Sequence, residues 1–221
     1  MIIAIDGPAG SGKSTVAKLV AKKLHFHYLD TGAMYRAVAA AALAANIDIN
    51  NEENVAEIAQ NQKISFIHEN DNPIAVGVCI DSKDVTSIIR SPEVDKTVSI
   101  VAAHAKVREA LVKQQREIAA NDNIVMEGRD IGTVVFPNAE LKVFLNASAQ
   151  TRAHRRALQN KERGIGETDE KILFAQIEKR DKLDSTRKVA PLVAAQDAKK
   201  LNSTNLTIEE VVSQIESWAK E

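Results

Sequence analysis

The chain is poor in the features that would take it out of the ordinary globular class. It has one cysteine, Cys79, in 221 residues, so no internal disulfide can form. Aromatic residues make up 4% of it, too few for the stacked platforms that grip single-stranded nucleic acid. The longest unbroken apolar run, Ala37 to Ala45, falls well short of the roughly 20 residues a membrane span needs. Neither sign of charge dominates: 29 Lys and Arg against 30 Asp and Glu leave a net charge of −1, which argues against a uniformly basic nucleic-acid coat. The opening MIIAIDG lacks a basic n-region and a long apolar stretch, so a reducing, cytoplasmic location is expected. His25, His27, His68, His104 and His154 show no zinc spacing with the lone cysteine and read as packing or surface residues. What is present, 44% hydrophobic and 27% charged residues, suffices for one globular unit with sizeable insertions and excludes wholesale disorder.

Along the chain, strand-like and helical patterns alternate. Ile2 to Asp6 is a short β-branched run ending at Gly-Pro, and Val16, Leu19, Val20 and Leu24 then recur at helical spacing. A second strand is expected around Phe26 to Leu29, an Ala-rich helix over Gly32 to Ala45, and a further helix starting at Asn50 and Glu53 with Val55, Ile58 and Ala59 inward. Between Lys63 and Val85 the segments ISFI, IAVGVCI and KDV, with Asn70 to Pro73 as a turn, read as a small inserted antiparallel sheet. Ser91-Pro92 starts a helix whose periodicity runs to about Ala120. Strands follow at Asn123 to Met126 and Leu141 to Leu145, with long helical stretches from Thr151 and Thr168. Lys200 to Leu206 reads as a last strand, and Thr207 with Glu210 makes a capping box for a final helix carrying Val211, Val212, Ile215 and Trp218. The alternation implies an α/β fold, a parallel sheet flanked by helices on both faces.

Gly7-Pro8-Ala9-Gly10-Ser11-Gly12-Lys13-Ser14 matches G-x-x-x-x-G-K-[ST] between a strand and a helix, the context in which backbone N–H groups converge on phosphate oxygens. Lys13 is expected to reach the outer phosphates and the Ser14 hydroxyl to ligate magnesium, with Thr15 next in line. No N-K-x-D reads guanine: Asn160-Lys161-Glu162-Arg163 has Arg where Asp is needed, which speaks against a regulatory GTPase.

Arginine is concentrated late in the chain: six of eleven, Arg152, Arg155, Arg156, Arg163, Arg180 and Arg187, fall within 36 residues. Arg152, Arg155 and Arg156 share one helix side, which fits either a phosphate-binding set or a solvated face. Gly164 and Gly166 follow that helix, as a lid hinge or as a plain cap. Asp30 to Arg36 and Glu127 to Asp130 each follow a strand, at the sheet edge where open parallel sheets bind ligands.

The motifs IDGPAGSGKST, LDTGAMYR, VAAHAKVREAL, EGRDIGTVVFP, RAHRR and EKRDKLDSTRKVAPL together resemble the bacterial type of cytidylate kinase, a nucleoside-monophosphate kinase of the P-loop class, over nearly the whole chain. The resemblance implies ATP as phosphoryl donor, Mg2+ as its ion, and CMP and dCMP as acceptors. It implies that Arg36, Arg129 and Arg187 grip the acceptor phosphate, Arg180 and Asp184 the sugar, and Ser99, Arg108 and Asp130 the cytosine edge. Thr31 joins the acceptor set, and Lys13, Arg129, Arg155 and Arg187 are expected to act on the transferring group. The cytosine amino group can donate to a carboxylate, which uracil cannot do. Glu127 stands where relatives often carry Asp, and either orients magnesium-bound water or fills a loop.

By the same resemblance residues 1–35 and 104–221 form the kinase core, residues 36–103 the monophosphate-binding domain with its insert, and residues 152–167 a helical lid. A monomer is expected, with no nucleic-acid or membrane partner. Other readings stay open at this stage: a different small-molecule P-loop kinase, such as one for another nucleoside monophosphate or of shikimate type, or a non-catalytic nucleotide-binding module.

Overall fold

β1 (Ile2–Asp6) is the axis of the molecule. In the computed structural model, which describes every residue except Asp71, Asn121 and Ile165, it lies between β6 (Ile124–Gly128) and β7 (Leu141–Asn146) in a five-stranded sheet. β2 (His27–Asp30) and β8 (Lys199–Asn202) complete the order β2-β6-β1-β7-β8, and every pairing is parallel. The path moves to one side of β1 through β2 and β6, then to the other through β7 and β8. β1 is therefore the switch point, the place where such sheets open a ligand crevice beyond the strands' carboxyl ends.

The two sheet faces follow from the period of two along each strand. Ala4, Leu29 and Met126 face one core with α2 (Thr31–Ala44). Ile3, Ile5 and Val125 face the other, with α1 (Lys13–Leu24) and α8 (Ile208–Ala219). α2 is Ala-rich because it is covered nearly all round, from Ala33 to Ala42 with one half-buried exception. On α1 the inward stripe is Val16, Ala17, Val20 and Ala21, and Leu19, expected inside, is exposed. α8 begins with the expected Thr207–Glu210 capping box and buries Val211, Val212 and Ile215.

The insert is as expected: β3 (Ile64–Ile67), β4 (Gly77–Ile80) and β5 (Lys83–Asp84) form a three-stranded antiparallel sheet. Of its turn, Asp71 lies outside the described residues. α3 (Glu52–Asn61) starts one residue later than the sequence suggests, because the side chain that accepts the cap bond, from Asn54 N, is Asn51.

The long helix expected from Ser91 to Ala120 is two helices, α4 (Pro92–Val101) and α5 (Ala105–Ala119). Between them His104 is extended, with ψ 121°, and its Nε2 is 2.7 Å from the Ile49 carbonyl. Periodicity alone missed the break because apolar spacing survives it. α6 (Ala149–Arg163) and α7 (Glu170–Thr186) pack on each other around Ala153, Ala157, Leu173 and Ile177, a small core of their own. Gly164 is the left-handed cap of α6, with φ 65°. Ile165, inside the expected lid, lies outside the described residues. Among the described residues no helix is long and apolar enough to cross a membrane.

Candidate active site

The Gly7–Gly12 loop joins the end of β1 to the start of α1. A side chain at Gly7 would put Cβ 2.0 Å from the Leu145 carbonyl oxygen of β7, so only glycine lets the chain turn here. Gly12 caps α1 in the left-handed region, with φ 92°, and no side chain occupies the cap. The first turn of α1 carries no acidic residue, so its amides and the helix dipole are available to an anion. Ser14 and Thr15 are exposed at this end. The buried Lys13 ammonium donates to the Pro8 carbonyl at 2.7 Å. Burial, reinforced by Arg129, lowers its pKa to about 7, against the opposing pull of Glu127 and Asp6.

Next to the loop is a set of buried carboxylates. Asp6, at the tip of β1, accepts from the amides of Ile131 and Gly132, both at 2.8 Å. Burial raises its pKa to about 6 although those two bonds oppose the shift. The bonds shape the residues after Asp130, where Ile131–Val135 form a wide helical turn with i→i+5 bonds. Such turns recur at functional sites. Glu127 is the penultimate residue of β6, and the Tyr28 hydroxyl donates to its Oε1 at 2.5 Å. Burial and neighbouring Asp30 raise the Glu127 pKa, opposed by Lys13 and by the hydroxyls of Tyr28 and Ser14. The Thr31 hydroxyl donates to the Glu127 carbonyl at 2.7 Å, which ties the end of β2 to the end of β6.

The expected acceptor residues meet across the same sheet edge. Arg108, on α5, is buried, with NH1 donating to the Ala102 carbonyl and NH2 on Asp130 Oδ2. Its guanidinium carbon sits 5.2 Å from the centre of the Tyr35 ring, and the exposed helix charge that is the ordinary reading of such an arginine is ruled out. Burial works against the Arg108 charge, and Tyr35 and Asp130 more than offset it, leaving its pKa raised. Arg187 NH2 lies 3.6 Å from Asp130 Oδ1, and its Nε donates to the Ala190 carbonyl at 2.7 Å. Arg129 Nε donates to Asp184 Oδ2 at 3.0 Å. Burial would lift the Asp184 carboxyl, but Arg129 and Arg180 hold it below the usual range. Burial and Arg129 lower Arg180 to about 10. Ser99 is half-buried on α4.

Arg36 reaches the Ile89 carbonyl at 2.9 Å and Asp95 at 2.5 Å. Buried nitrogens of Arg108 (Nε), Arg180 (Nε) and Arg187 (NH2) have no hydrogen-bond partner. Buried donors left without acceptors are uncommon in a finished interior and fit a place prepared for an anion.

The three arginines of α6 are not a solvated face. Arg152 donates to the carbonyls of Ala147 and Ala9 and pairs with Asp181 at 2.6 Å. Arg155 donates to the carbonyls of Ser203 at 2.7 Å and Ser11 at 3.4 Å, and to the Ser203 hydroxyl at 3.1 Å. It stands beside the phosphate loop and makes no bond to the Arg129–Arg187 group. Arg156 points the other way, to Asp95 at 2.7 Å.

Sequence reasoning did not single out Asp6, Tyr28 or Asp95. Asp6 was legible only as the polar end of an apolar strand, and no local signal marks the other two. A groove of about 830 Å³ along α5 includes Arg108, but Glu109, Lys113, Arg116 and Glu117 line it as well. No residue of the phosphate loop lines it.

Comparison with known proteins agrees with this geometry. A chain from Enterococcus faecalis named cytidylate kinase is 53% identical over 219 residues, covering 99% of this chain and 95% of that one. A cytidylate kinase from Limosilactobacillus reuteri is 55% identical over 218 residues, covering 99% and 94%. Among solved structures, shikimate kinase from Bacteroides thetaiotaomicron superposes with a TM-score of 0.51 at 16% identity, over 100% of this chain and 99% of that one, a likeness of fold alone. The cytidylate kinase family model matches residues 3–221, and the chain belongs to the cytidylate kinase family.

Proposed function

We propose that the chain transfers the γ-phosphoryl group of ATP to the 5′-phosphate of CMP and dCMP, giving CDP and dCDP. One observation carries this reading: the phosphate loop and the arginine group around Asp130 and Asp184 share one carboxyl edge of the sheet, and nitrogens of Arg108, Arg180 and Arg187 are buried there without partners. The loop amides and Lys13 hold the donor's phosphates. Arg36, Arg129 and Arg187 hold the acceptor's phosphate, Arg180 and Asp184 its sugar, and Ser99, Arg108 and Asp130 its base, with Thr31 fixing the loop that carries them. Arg155 steadies the loop from behind through the Ser11 carbonyl.

An acceptor phosphate is already anionic near neutral pH, so no side chain has to remove a proton from it. The protein's task is to align two anions and offset their repulsion, and the arginines and Lys13 do this at fixed positions. Arginine suits the role because its charge survives burial and its planar fork matches phosphate oxygens.

The oxygen donors beside the loop fit magnesium. Ser14 and Glu127 would hold it, and among the described residues no group of three or more His, Cys, Asp or Glu side chains forms a fuller cage. Magnesium keeps water and substrate phosphates as most of its ligands, so two protein oxygens suffice. When bound, magnesium neutralises charge on the outer phosphates. In this reading Tyr28 fixes one oxygen of Glu127. The protein acts as a monomer in the cytoplasm, with residues 152–167 as its lid.

The test is ADP release with CMP, dCMP, UMP, AMP, GMP and shikimate offered separately to the purified chain with Mg-ATP. CMP and dCMP should be the preferred acceptors. ADP release independent of every acceptor, or fastest with another one, would overturn the proposal.

A further inference from the structure

Asp95 bridges two arginines with opposite duties. Its Oδ1 is 2.5 Å from Arg36 NH2 on α2, and its Oδ2 is 2.7 Å from Arg156 NH2 on α6. Asp95 itself lies in the first turn of α4. The same helix that supplies Arg156 touches the phosphate loop through Arg152 and Arg155, at the Ala9 and Ser11 carbonyls. One carboxylate therefore closes a continuous polar path from the loop, through α6, to an arginine of the acceptor group. The Arg36 side chain is 9% exposed and that of Asp95 29%, and the Asp95 Oδ1 that faces Arg36 is itself buried, so the inner end of the bridge is shielded.

We propose that Asp95 is a positioning residue that couples acceptor binding at Arg36 to the phosphate loop through Arg156. The inference rests on the assignment of Arg36 to the acceptor phosphate. A carboxylate spanning two guanidinium groups has the charge sign and spacing of a bound phosphate. An acceptor phosphate arriving at Arg36 must then share that guanidinium with Asp95, and any change in the Asp95 contact is felt by Arg156 and by the helix that touches the loop. Conversely, a donor held on the loop fixes α6, hence Arg156, hence the direction in which Asp95 holds Arg36. Linkage makes the effect reciprocal: each nucleotide should raise the affinity of the other by the same factor.

The experiment measures CMP binding by titration calorimetry, with and without a non-hydrolysable ATP analogue, for the full chain and for Asp95→Asn, Arg156→Gln and the double variant. In the unaltered chain the analogue should tighten CMP by on the order of fivefold or more. Each single variant should lose most of that factor, and the double variant should lose no more than either one, because both cut the same link. A merely structural Asp95 would lower the melting temperature and leave the factor intact, so a factor kept within about twofold in Asp95→Asn overturns the proposal. Losses that add in the double variant, or no mutual tightening in the unaltered chain, overturn it as well. If Asp95→Asn fails to fold, Arg156→Gln decides alone, since it removes the outer half of the bridge. Failure of the enzymatic reading looks different, because the unaltered chain would then transfer phosphate to neither CMP nor dCMP.

Discussion

The two ends of the cleft are built on different principles. In the proposed reading the donor end is one contiguous loop that binds with its backbone: glycines create the turn, α1 supplies the amides, and Lys13 is the loop's own formal charge. The proposed acceptor end would bind with side chains brought from α2, α5, the end of β6 and α7, and its pairs link residues 22 and 55 positions apart. Each arginine there would be costly to bury alone, and Asp95, Asp130 and Asp184 offset that cost. Backbone recognition is set within one short segment, although Arg152 and Arg155 brace that segment from α6. Side-chain recognition depends on the whole fold holding its charges in place.

The sharpest way to separate the two ends is Arg187→Ala. It should lower kcat by on the order of 10²-fold, as loss of a charge-stabilising donor does, while ATP binding stays close to that of the unaltered chain. Steady-state assays with CMP and calorimetry with ATP alone check the two halves, and a matching loss of ATP affinity would show that Arg187 serves the donor as well.

Asp6→Ala should damage both ends at once, because Asp6 belongs to β1 yet holds the amides that follow Asp130. Two buried N–H groups lose their acceptor, so urea unfolding should show a loss of roughly 2–4 kcal/mol. A loss below about 0.5 kcal/mol would mean the turn holds itself.

Asp130→Ala is a finer cut within the acceptor end. The preference for CMP over UMP in kcat/KM should fall by about tenfold, as expected when one polar base contact goes. An unchanged ratio would remove Asp130 from base recognition.

The smallest effect concerns the donor end alone. With its pKa lowered to about 7, Lys13 binds fewer protons in the folded than in the unfolded chain between there and its ordinary 10.5. It therefore opposes folding at neutral pH and below, and the penalty fades as the pH rises toward 10.5. Lys13→Met should melt a few degrees higher than the unaltered chain at pH 7, with the gap closing by about pH 10, as thermal scans across pH would show. A lower melting temperature at pH 7 would contradict the burial penalty.

Most of the fold was legible in the sequence where hydrophobic periodicity agreed with tertiary packing. β1 was readable residue by residue because a central parallel strand is buried on both faces and reads as an uninterrupted apolar run. The inserted sheet showed its strands between turn residues, and the final helix showed its capping box. The break at His104 was not readable, because it is fixed by a contact with Ile49, 55 residues away. Nor was the i→i+5 turn after Asp130, which rests on a carboxylate from β1. At the site, the phosphate loop could be derived from spacing alone. The acceptor arginines were reached through likeness to a family, and Asp95 and Tyr28 were missed because their partners lie 59, 61 and 99 positions away.

The order of strands and helices, the turn at Gly7 and the capacity to bind a phosphate chain at the head of α1 were therefore determined by the sequence itself, since each depends on neighbours within a few residues. Which arginine meets which carboxylate was decided only when the chain folded. A buried ion pair is set by distance in space, and residues such as Arg129 and Asp184 come to hydrogen-bonding distance, 3.0 Å, only after the end of β6 and α7 have packed against one another.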